Sequence, residues 1–330
     1  MSDILKQLVI DIGGTNIRLG LLPEGDLSPR HIVSYKVRDF SGLHEVIAAY
    51  LKQAPQHQLK EASVALAGPV DGDVLQLTNH GWRFSASDIR QAFALQRLKV
   101  INDFTALALS LPHLKAEELV QLGGGAAETH GAIALLGPGT GLGVSGLVRT
   151  AAGFYPLSGE GGHVSLGART ARELEIFTAF RNKYGHMSGE RLLSGTGMTE
   201  FYQVIRKLDG LDDSALSAEE ISSRAVDNSC PSCAEVMTLF CEWLGIVSSN
   251  LALTMGATGG VYIGGGIVPK LGNYFLQSGF RRGFEDKGRF REFLQAIPVF
   301  VIQEGGQPAL VGAASSFDPR FSRVGIESRA

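Results

Sequence analysis

The sequence predicts a two-domain α/β protein with mostly parallel sheets covered by helices, because strand-like and helix-like stretches alternate along its 330 residues. The length by itself is compatible with two domains or with one large one. A further observation favours two: a pattern of apolar strand, Gly/Thr crease and apolar strand occurs twice, about 125 residues apart. The copies are LVIDIGGTNIRLGLL (8–22) and GAIALLGPGTGLGVSGLV (131–148), and they suggest a duplication in which each half supplies one crease.

In the first half, short apolar runs predict strands and apolar residues at helical spacing predict helices. Ser85 and Asp88 have the spacing of a capping box. The segment 98–111 begins as a strand at Val100 and becomes a helix near Thr105. The predicted elements are a strand pair at 8–22, strands at 31–38 and 62–70, helices at 43–54 and 85–95, and the strand–helix pair at 98–111.

The second half is predicted in the same way. Ser217 and Glu220 form a capping box ahead of a short helix in an otherwise polar and irregular segment, 207–232. The other predicted elements are the strand pair at 131–148, helices at 169–184 and 234–255, a buried strand at 259–269, a last strand that ends near 302, and a closing helix at 308–317.

Composition excludes several classes of function. The formal net charge of −3 provides no attraction to nucleic acid. The 3 cysteines cannot build a disulfide framework and indicate a reducing compartment, and we expect no signal peptide at the N-terminus. Two stretches without charge, 131–148 and 243–269, resemble membrane spans, but their glycines and prolines favour buried elements of a soluble protein.

The two creases have the chemistry of a phosphate site, because a glycine-rich turn exposes backbone N–H groups that bind phosphate oxygens. Asp11 lies just before the first crease, where its carboxylate could hold Mg²⁺ beside the phosphates. The alternative is a pair of ordinary tight turns. The residues that could donate are Gly13, Gly14 and Thr15 in the first crease and Gly139, Thr140, Gly141 and Gly143 in the second.

A dinucleotide-binding fingerprint competes for the second crease. Residues 141–146 fit G-x-G-x-x-G, and Glu160 follows about twenty residues later. That fingerprint should open a helix, however, whereas GVSGLV is typical of a strand. The chain contains no G-x-x-x-x-G-K-[ST], so it is not a P-loop protein.

Asn102 and Asp103 follow a predicted buried strand, at the end where open α/β sheets bind ligands. An aspartate at this place can accept a proton from a substrate hydroxyl that attacks phosphorus. The alternative role of Asp103 is to cap the helix that follows.

Glu160, His163 and Glu190 complete a set of hydrogen-bonding groups suited to a polyhydroxylated ligand. His163 could instead be an ordinary structural histidine. The spacing E-x-x-H does not match a zinc motif on a helix. A further motif, C-P-S-C at residues 230–233, lacks two more ligands and a thioredoxin-like context, so we expect it to be incidental.

Taken in order, several motifs resemble one known family. They are DIGGTN, AGPV, LTNHGW, NDFTALA, GPGTGLG, GEGGHV, GERLLSG, GGVYIGGGIVP and GFEDKGRF. This ordered set resembles the bacterial ATP-dependent glucokinases of the proteobacterial type, over roughly residues 8–315. The resemblance implies the actin-like ATPase (ribonuclease H-like) fold of hexokinases, actin and heat-shock chaperones, with two α/β domains around a central cleft. It assigns 1–113 plus 304–330 to a small domain and 114–303 to a large one.

The resemblance also implies a role for individual residues. A neighbouring family, the ROK sugar kinases and repressors, carries a cysteine-rich zinc motif after the sugar histidine. Here His163 is followed by VSLGARTARELEIF, which contains no cysteine. This difference argues against a zinc site and against ROK membership. The implied nucleotide-binding residues are Ile10, Asp11, Ile12, Gly13, Gly14 and Thr15, then Gly139, Thr140, Gly141 and Gly143, then Gly264, Gly265 and Gly266 near adenosine. The implied sugar-binding residues are Asn79, Asn102, Asp103, Glu160, His163 and Glu190.

The activity implied by the resemblance is transfer of the γ-phosphoryl group of ATP to the 6-hydroxyl of D-glucose, the first step of glycolysis. Asp103 would be the catalytic base, and Asp11 would hold Mg²⁺. A cytoplasmic homodimer that binds neither nucleic acid nor membrane is also implied. Two alternatives stay open: a kinase for another sugar or amino sugar, and a sugar-sensing regulator. For the regulator we expect no DNA-binding module, since only seven residues precede the first strand.

Overall fold

The structure is a computed structural model that describes residues 4–77, 81–212, 214–303, 305, 307–321 and 323–330. It divides into two compact units. Unit 1 comprises Met1–Lys115, Thr150–Ser158 and Gly305–Ala330, and unit 2 comprises Ala116–Arg149 and Gly159–Glu304.

The described residues form alternating strands and helices. The strands are β1 (Leu5–Ile12), β2 (Asn16–Pro23), β3 (Arg30–Lys36), β4 (His57–Leu66), β5 (Val74–Gln76), β6 (Arg83–Ser85), β7 (Arg97–Asn102), β8 (Leu119–Gln121), β9 (Ile133–Pro138), β10 (Leu142–Thr150), β11 (Gly153–Gly159), β12 (Val261–Ile263), β13 (Val299–Ile302) and β14 (Ile326–Arg329). The helices are α1 (Leu43–Gln53), α2 (Ala86–Ala92), α3 (Asp103–Ser110), α4 (Ala171–Tyr184), α5 (Gly195–Leu208), α6 (Ala218–Val226), α7 (Pro231–Met255), α8 (Val268–Leu271), α9 (Asn273–Leu276), α10 (Phe280–Glu285), α11 (Arg291–Ala296) and α12 (Pro308–Ser315).

Unit 1 is built on a sheet with the strand order β14-β7-β4-β1-β2-β3. The strands β1, β4 and β7 are parallel, and β2 is antiparallel to β1. Their central residues are apolar and almost fully buried, as expected for strands covered on both faces. The predicted strand pair at 8–22 and the predicted strand–helix pair at 98–111 are therefore confirmed.

The C-terminal end of the chain corrects one prediction. The strand that ends at Ile302 is not the last, because β14 pairs antiparallel with β7 at the sheet edge, and α12 is not the closing element. β14 has the sequence IESR and only one apolar residue. It has no strand pattern of its own, since its conformation depends on pairing with a strand more than 200 residues earlier.

Helix α12 packs tightly against α3 inside unit 1. A Cβ at Gly312 would lie 1.7 Å from the carbonyl oxygen of Ala106, so only glycine permits this approach. On the same helix, Leu310 and Ala313 are buried against β1 and β2 residues such as Val9. The position of α3 thus depends on a segment from the far end of the chain.

In unit 2, five strands run in the order β10-β9-β12-β13-β8. Every residue of β9 is buried, and the long helix α7 packs in the core of this unit. Trp243 on α7 is fully buried, and its Nε1 donates to Oε1 of Glu173 on α4 at 3.0 Å.

Helix α7 contains the first part, 243–255, of the apolar stretch at 243–269. Among the described residues, it is the one helix that is long and apolar enough to cross a membrane, but 61% of its most apolar stretch is buried inside the protein. The predictions of a long buried helix here and of a capping box at Ser217 and Glu220 are confirmed.

The assignment of 1–113 plus 304–330 and of 114–303 to two domains stays a prediction. Among the compact units, residues 150–158 group with unit 1. The contacts that hold them there include the Ser158 Oγ–Thr105 Oγ1 hydrogen bond of 3.0 Å and the rings of Tyr155 and Phe321, whose centroids lie 6.3 Å apart. These contacts join residues distant in sequence, so no local pattern could indicate them.

Candidate active site

The first crease, crease 1 (residues 13–15), is the tight turn between β1 and β2. The N–H of Gly13 donates to the carbonyl oxygen of Asn16 at 3.0 Å, which closes the turn. The carbonyl oxygen of Thr15 accepts from the N–H of Val37 at 3.0 Å, and Thr15 is exposed. Since the N–H of Gly13 is already used, Gly14 and Thr15 are the better candidates to donate to a phosphate.

Asp11 lies at the end of β1, directly opposite Arg18 on β2. One guanidinium nitrogen of Arg18 lies 3.1 Å from Oδ2 of Asp11, and the Asp11 side chain is only 13% exposed. Burial raises the pKa of Asp11, and the positive charge of Arg18 acts in the opposite direction. A second cation near this carboxylate would further favour its charged form.

Asn102 and Asp103 lie where β7 ends and α3 begins. The helix cap is Asn102, not Asp103: Oδ1 of Asn102 accepts from the N–H groups of Phe104 (2.9 Å) and Thr105 (3.1 Å). The Nδ2 of Asn102 also donates to the carbonyl oxygen of Gly68 at 3.2 Å. The cap is therefore Asn102, and Asp103 occupies the first turn of α3, where its own Oδ1 also accepts from the N–H of Phe104 at 2.9 Å.

The strand register brings crease 1 and Asp103 to the same side of the sheet, at the carboxyl ends of its parallel strands. Ile12 of β1 pairs with Leu66 of β4, and Leu66 pairs with Asn102 of β7. Crease 1 begins one residue after Ile12, and Asp103 lies one residue after Asn102. Because adjacent strands are about 4.8 Å apart, the two backbones lie about 10 Å apart.

The second crease, crease 2 (residues 139–141), is the turn between β9 and β10. The N–H of Gly139 donates to the carbonyl oxygen of Gly141 at 2.8 Å, and Thr140 is exposed. Gly143 lies within β10, opposite Gly137 of β9. Thr140 and Gly141 are thus the crease 2 residues best placed to donate to a phosphate. Because β10 is a strand, the dinucleotide fingerprint lacks the helix it requires.

Glu190 connects crease 2 with His163. Its Oε2 accepts from the N–H of Leu142 at 2.9 Å, and its Oε1 lies 3.8 Å from Nδ1 of His163. A Cβ at Gly141 would lie 2.5 Å from Oε2 of Glu190, so a glycine there leaves room for the carboxylate. Glu160 and His163 are both exposed in one short turn, in which the N–H of His163 donates to the carbonyl oxygen of Glu160 at 3.1 Å.

The glycine segment 264–266 packs against the end of β9. The N–H of Gly264 donates to the carbonyl oxygen of Leu136 at 2.9 Å. A Cβ at Gly137 would lie 2.5 Å from the carbonyl carbon of Gly264. At Gly265, φ is +78°, and a Cβ would lie 2.4 Å from the carbonyl oxygen of Pro138. Crease 2 and this segment therefore depend on close contacts between two backbones.

The other predicted site residues fall into two groups. Ile10 and Ile12 are fully buried core residues of β1, so any part they play in binding is to support crease 1. Asn79 lies outside the described residues. No group of three or more His, Cys, Asp or Glu side chains that could hold a metal occurs among the described residues.

The structure adds features that the motifs did not indicate. Helix α5 begins beside crease 2, where the N–H of Gly195 donates to the carbonyl oxygen of Gly139 at 2.8 Å and Ser194 caps the helix. Near crease 1, Nζ of the exposed Lys36 donates to Oδ1 of Asn16 at 2.7 Å. The sequence S-G-T-G at 194–197 could have indicated where α5 begins. No sequence pattern indicates the position of Lys36, because it reaches crease 1 through the pairing of β3 with β2.

The solved structures first define the class of protein. A ROK-family glucokinase from Streptomyces griseus, in complex with glucose and AMPPNP, matches with a TM-score of 0.62 at 21% identity, over 94% of this chain and 98% of that one. This level of identity shows the fold alone, which is the actin-like ATPase fold of sugar kinases. A glucokinase from an Antarctic psychrotroph matches with a TM-score of 0.83 at 37% identity, over 94% of this chain and 97% of that one.

The sequence comparisons then define the family. The family model described as Glucokinase matches residues 8–319. A glucokinase from Aromatoleum aromaticum is 49% identical over 318 residues, which are 96% of each chain. The chain belongs to the glucokinase family. It is accordingly an ATP-dependent hexose kinase, and the resemblance noted from its motifs is confirmed.

Proposed function

We propose that the chain transfers the γ-phosphoryl group of ATP to the 6-hydroxyl of D-glucose, with Asp103 as the base. The observation that carries this proposal is the strand register of unit 1, which brings Asp103 and crease 1 to the same side of the sheet. Membership of the glucokinase family over residues 8–319 supports glucose as the sugar.

Asp103 would orient the 6-hydroxyl and accept its proton. An aspartate is ordinarily ionised at neutral pH. A weak base suffices because the phosphoryl group moves through a loose transition state and the proton can leave late. Asn102 caps α3, which fixes the backbone on which Asp103 lies. The helix start also favours a negative charge at this place.

The phosphates would receive hydrogen bonds from both creases. Gly14 and Thr15 in crease 1 and Thr140 and Gly141 in crease 2 would donate their N–H groups to phosphates of ATP. Such donors stabilise the charge that spreads over the phosphoryl oxygens in the transition state. Gly264, Gly265 and Gly266 would lie near the adenosine.

Asp11 fits a role in holding Mg²⁺. This ion is commonly bound by one or two carboxylates together with substrate phosphates and water, so a single carboxylate beside crease 1 suits it. Because Asp11 is nearly buried, a cation would favour its charged form. When bound, the ion would neutralise charge on the phosphates. Asp11→Asn should raise the Mg²⁺ concentration needed for half-maximal activity by about 10–100-fold, and an unchanged Mg²⁺ dependence would contradict this role.

The remaining polar groups would bind the sugar hydroxyls. Asn102 and Asp103 would contact the sugar, and the family resemblance alone adds Asn79. Glu160, His163 and Glu190 would also contact it. Glu190 would serve two functions, because its carboxylate holds crease 2 through Leu142 and also lies next to His163.

The test is a panel of sugars with coupled detection of ADP. D-Glucose should give the highest kcat/KM among D-glucose, D-mannose, D-fructose and N-acetyl-D-glucosamine. 6-Deoxy-D-glucose lacks the accepting hydroxyl, so it should inhibit competitively without becoming phosphorylated. A higher kcat/KM for another sugar, or phosphorylation of 6-deoxy-D-glucose, would contradict the proposal.

We further propose that the chain is a cytoplasmic homodimer. Its described cysteines are free thiols, which suits a reducing compartment. Light scattering should give about twice the chain mass of 35.2 kDa, whereas the chain mass itself would contradict the dimer.

A further inference from the structure

The C-P-S-C motif lies at the first turn of α7, in a setting that its sequence did not indicate. Cys230 is the residue before the helix and is partly exposed, Pro231 begins the helix, and Cys233 is fully buried in the first turn. Both cysteines are free thiols. We propose that Cys230 and Cys233 are a redox-active dithiol, which a small disulfide such as glutathione disulfide oxidises reversibly to an intrachain disulfide.

The spacing allows the bond to form without a large movement of the backbone. Cys230 has an extended backbone directly before α7 and Cys233 is the third residue of the helix, so their Cα atoms lie roughly 5–6 Å apart, within the range that disulfides span. Cys230 is the N-cap of α7 and Cys233 is its third residue, and side chains at these two positions lie next to each other, as in a capping box. Helix formation therefore places Cys233 where it can resolve a bond made by Cys230.

The two thiols have different environments, as the proposed chemistry requires. Burial opposes the thiolate of Cys230, but the N–H and thiol of Cys233 and the hydroxyl of Tyr202 favour it, so the pKa of Cys230 is lowered. Burial raises the pKa of Cys233 to about 12. The exposed member of the pair is thus the attacking thiol, and the buried member is the resolving one.

The reaction balances with glutathione disulfide as the oxidant. The Cys230 thiolate attacks one sulfur of the oxidant, its S–S bond breaks, and one glutathione thiolate leaves. Cys233 gives its proton to solvent, and its sulfur attacks that of Cys230 in the mixed disulfide, which releases the second glutathione thiolate. Two protein thiols are oxidised and one glutathione disulfide is reduced to two thiols.

The disulfide would be easy to reduce again. It would close a ring of only four residues, so it restricts the unfolded chain little and adds little stability. The Cys230 side remains partly exposed, and exposed disulfides are the labile ones. These features indicate a reversible modification site rather than a structural cross-link.

The experiment uses the full folded chain, reduced, freed of reductant and equilibrated with glutathione disulfide. The protein is then quenched with acid, denatured and alkylated, and its mass is measured. After subtraction of the mass of the alkyl labels, the oxidised wild type should be about 2 Da lighter than the reduced wild type, because disulfide formation removes two hydrogens. A single label should be present, on Cys241. Cys241→Ser is the matched control and should form the same disulfide. Three labels on wild type would overturn the proposal.

Single variants separate the two roles. Cys233→Ser should trap glutathione on Cys230, and Cys230→Ser should carry neither adduct nor intrachain disulfide. Adducts of equal yield on both variants would overturn the assignment. A second readout on wild type does not depend on how the variants fold: the pH profile for alkylation of Cys230 should have its midpoint below the ordinary thiol value of about 8.5. A midpoint above that value would contradict the attacking role.

Discussion

The contact of α12 with α3 predicts how Gly312→Ala changes the stability of the fold. Helix propensity and packing act on that stability in opposite directions. Replacing Gly312 by Ala puts a Cβ 1.7 Å from the carbonyl oxygen of Ala106, and real Cβ atoms essentially never lie within 3.0 Å of such an atom. The helices must therefore separate by at least the difference, 1.3 Å. Because the obstacle is backbone, no side-chain rotation can relieve it.

The expected free energies can be compared directly. Alanine is favoured over glycine in a helix interior by about 1 kcal/mol. Overpacking of a well-packed core costs about 1–3 kcal/mol, and the upper end applies where backbone must move. Gly312→Ala should therefore lower the free energy of unfolding by about 2 kcal/mol. Asp103 begins α3, and a displacement of about 1 Å can cost about 100-fold in rate, so kcat/KM for glucose should fall by up to that factor.

Urea unfolding and steady-state kinetics measure the two effects. The control is Gly42→Ser at the N-cap of α1, where a Cβ would meet no atom within 4 Å and serine is at least as favourable a helix cap as glycine. That variant should keep nearly wild-type stability and kinetics. If Gly312→Ala were as stable as wild type, or more stable, helix propensity would have decided the outcome and the packing argument would be refuted.

Two further predictions concern unit 2. Gly137→Ala should weaken ATP binding and lower the free energy of unfolding, because its Cβ would lie 2.5 Å from the backbone of Gly264. The control is Gly266→Ala, whose Cβ would meet no atom within 4 Å and which should keep the wild-type stability. Equal unfolding curves for the two variants would contradict this prediction. Burial opposes the charge of Glu173, yet hydrogen bonds from Arg169 and from an indole N–H hold its pKa below the ordinary value. Its charged form therefore stabilises the fold above the unfolded pKa, and this stability is lost as pH falls through the lower, folded pKa. Glu173→Gln should be less stable than wild type by about 2 kcal/mol at pH 7, with the difference shrinking towards pH 3, and a constant difference would argue against the ion pair.

The sequence predicted those parts of the candidate site that local patterns specify. The crease residues and Asp103 lie where apolar strands stop at glycine or at a helix start, and both features can be recognised from a few neighbouring residues. The two strand pairs around the creases are confirmed for the same reason.

Other features could not be predicted, because they depend on contacts between distant residues. β14 is a strand only through its pairing with β7, and Glu190 reaches Leu142 across 48 residues. Which of Asn102 and Asp103 caps α3 depends on side-chain orientation, since both residue types are common helix caps. The ordered motifs did identify the family, because their combination along the chain is far more specific than any one of them.

The central claim is that Asp103 accepts the proton of the sugar hydroxyl, and Asp103→Asn tests it most directly. Asparagine keeps the size of the side chain and can still hydrogen-bond glucose, but it cannot serve as the base. Single-turnover and steady-state kinetics, together with calorimetric binding of glucose, should show kcat lowered by about 10²–10⁴-fold while the Kd for glucose changes little. A variant that turns over at nearly the wild-type rate would contradict the account.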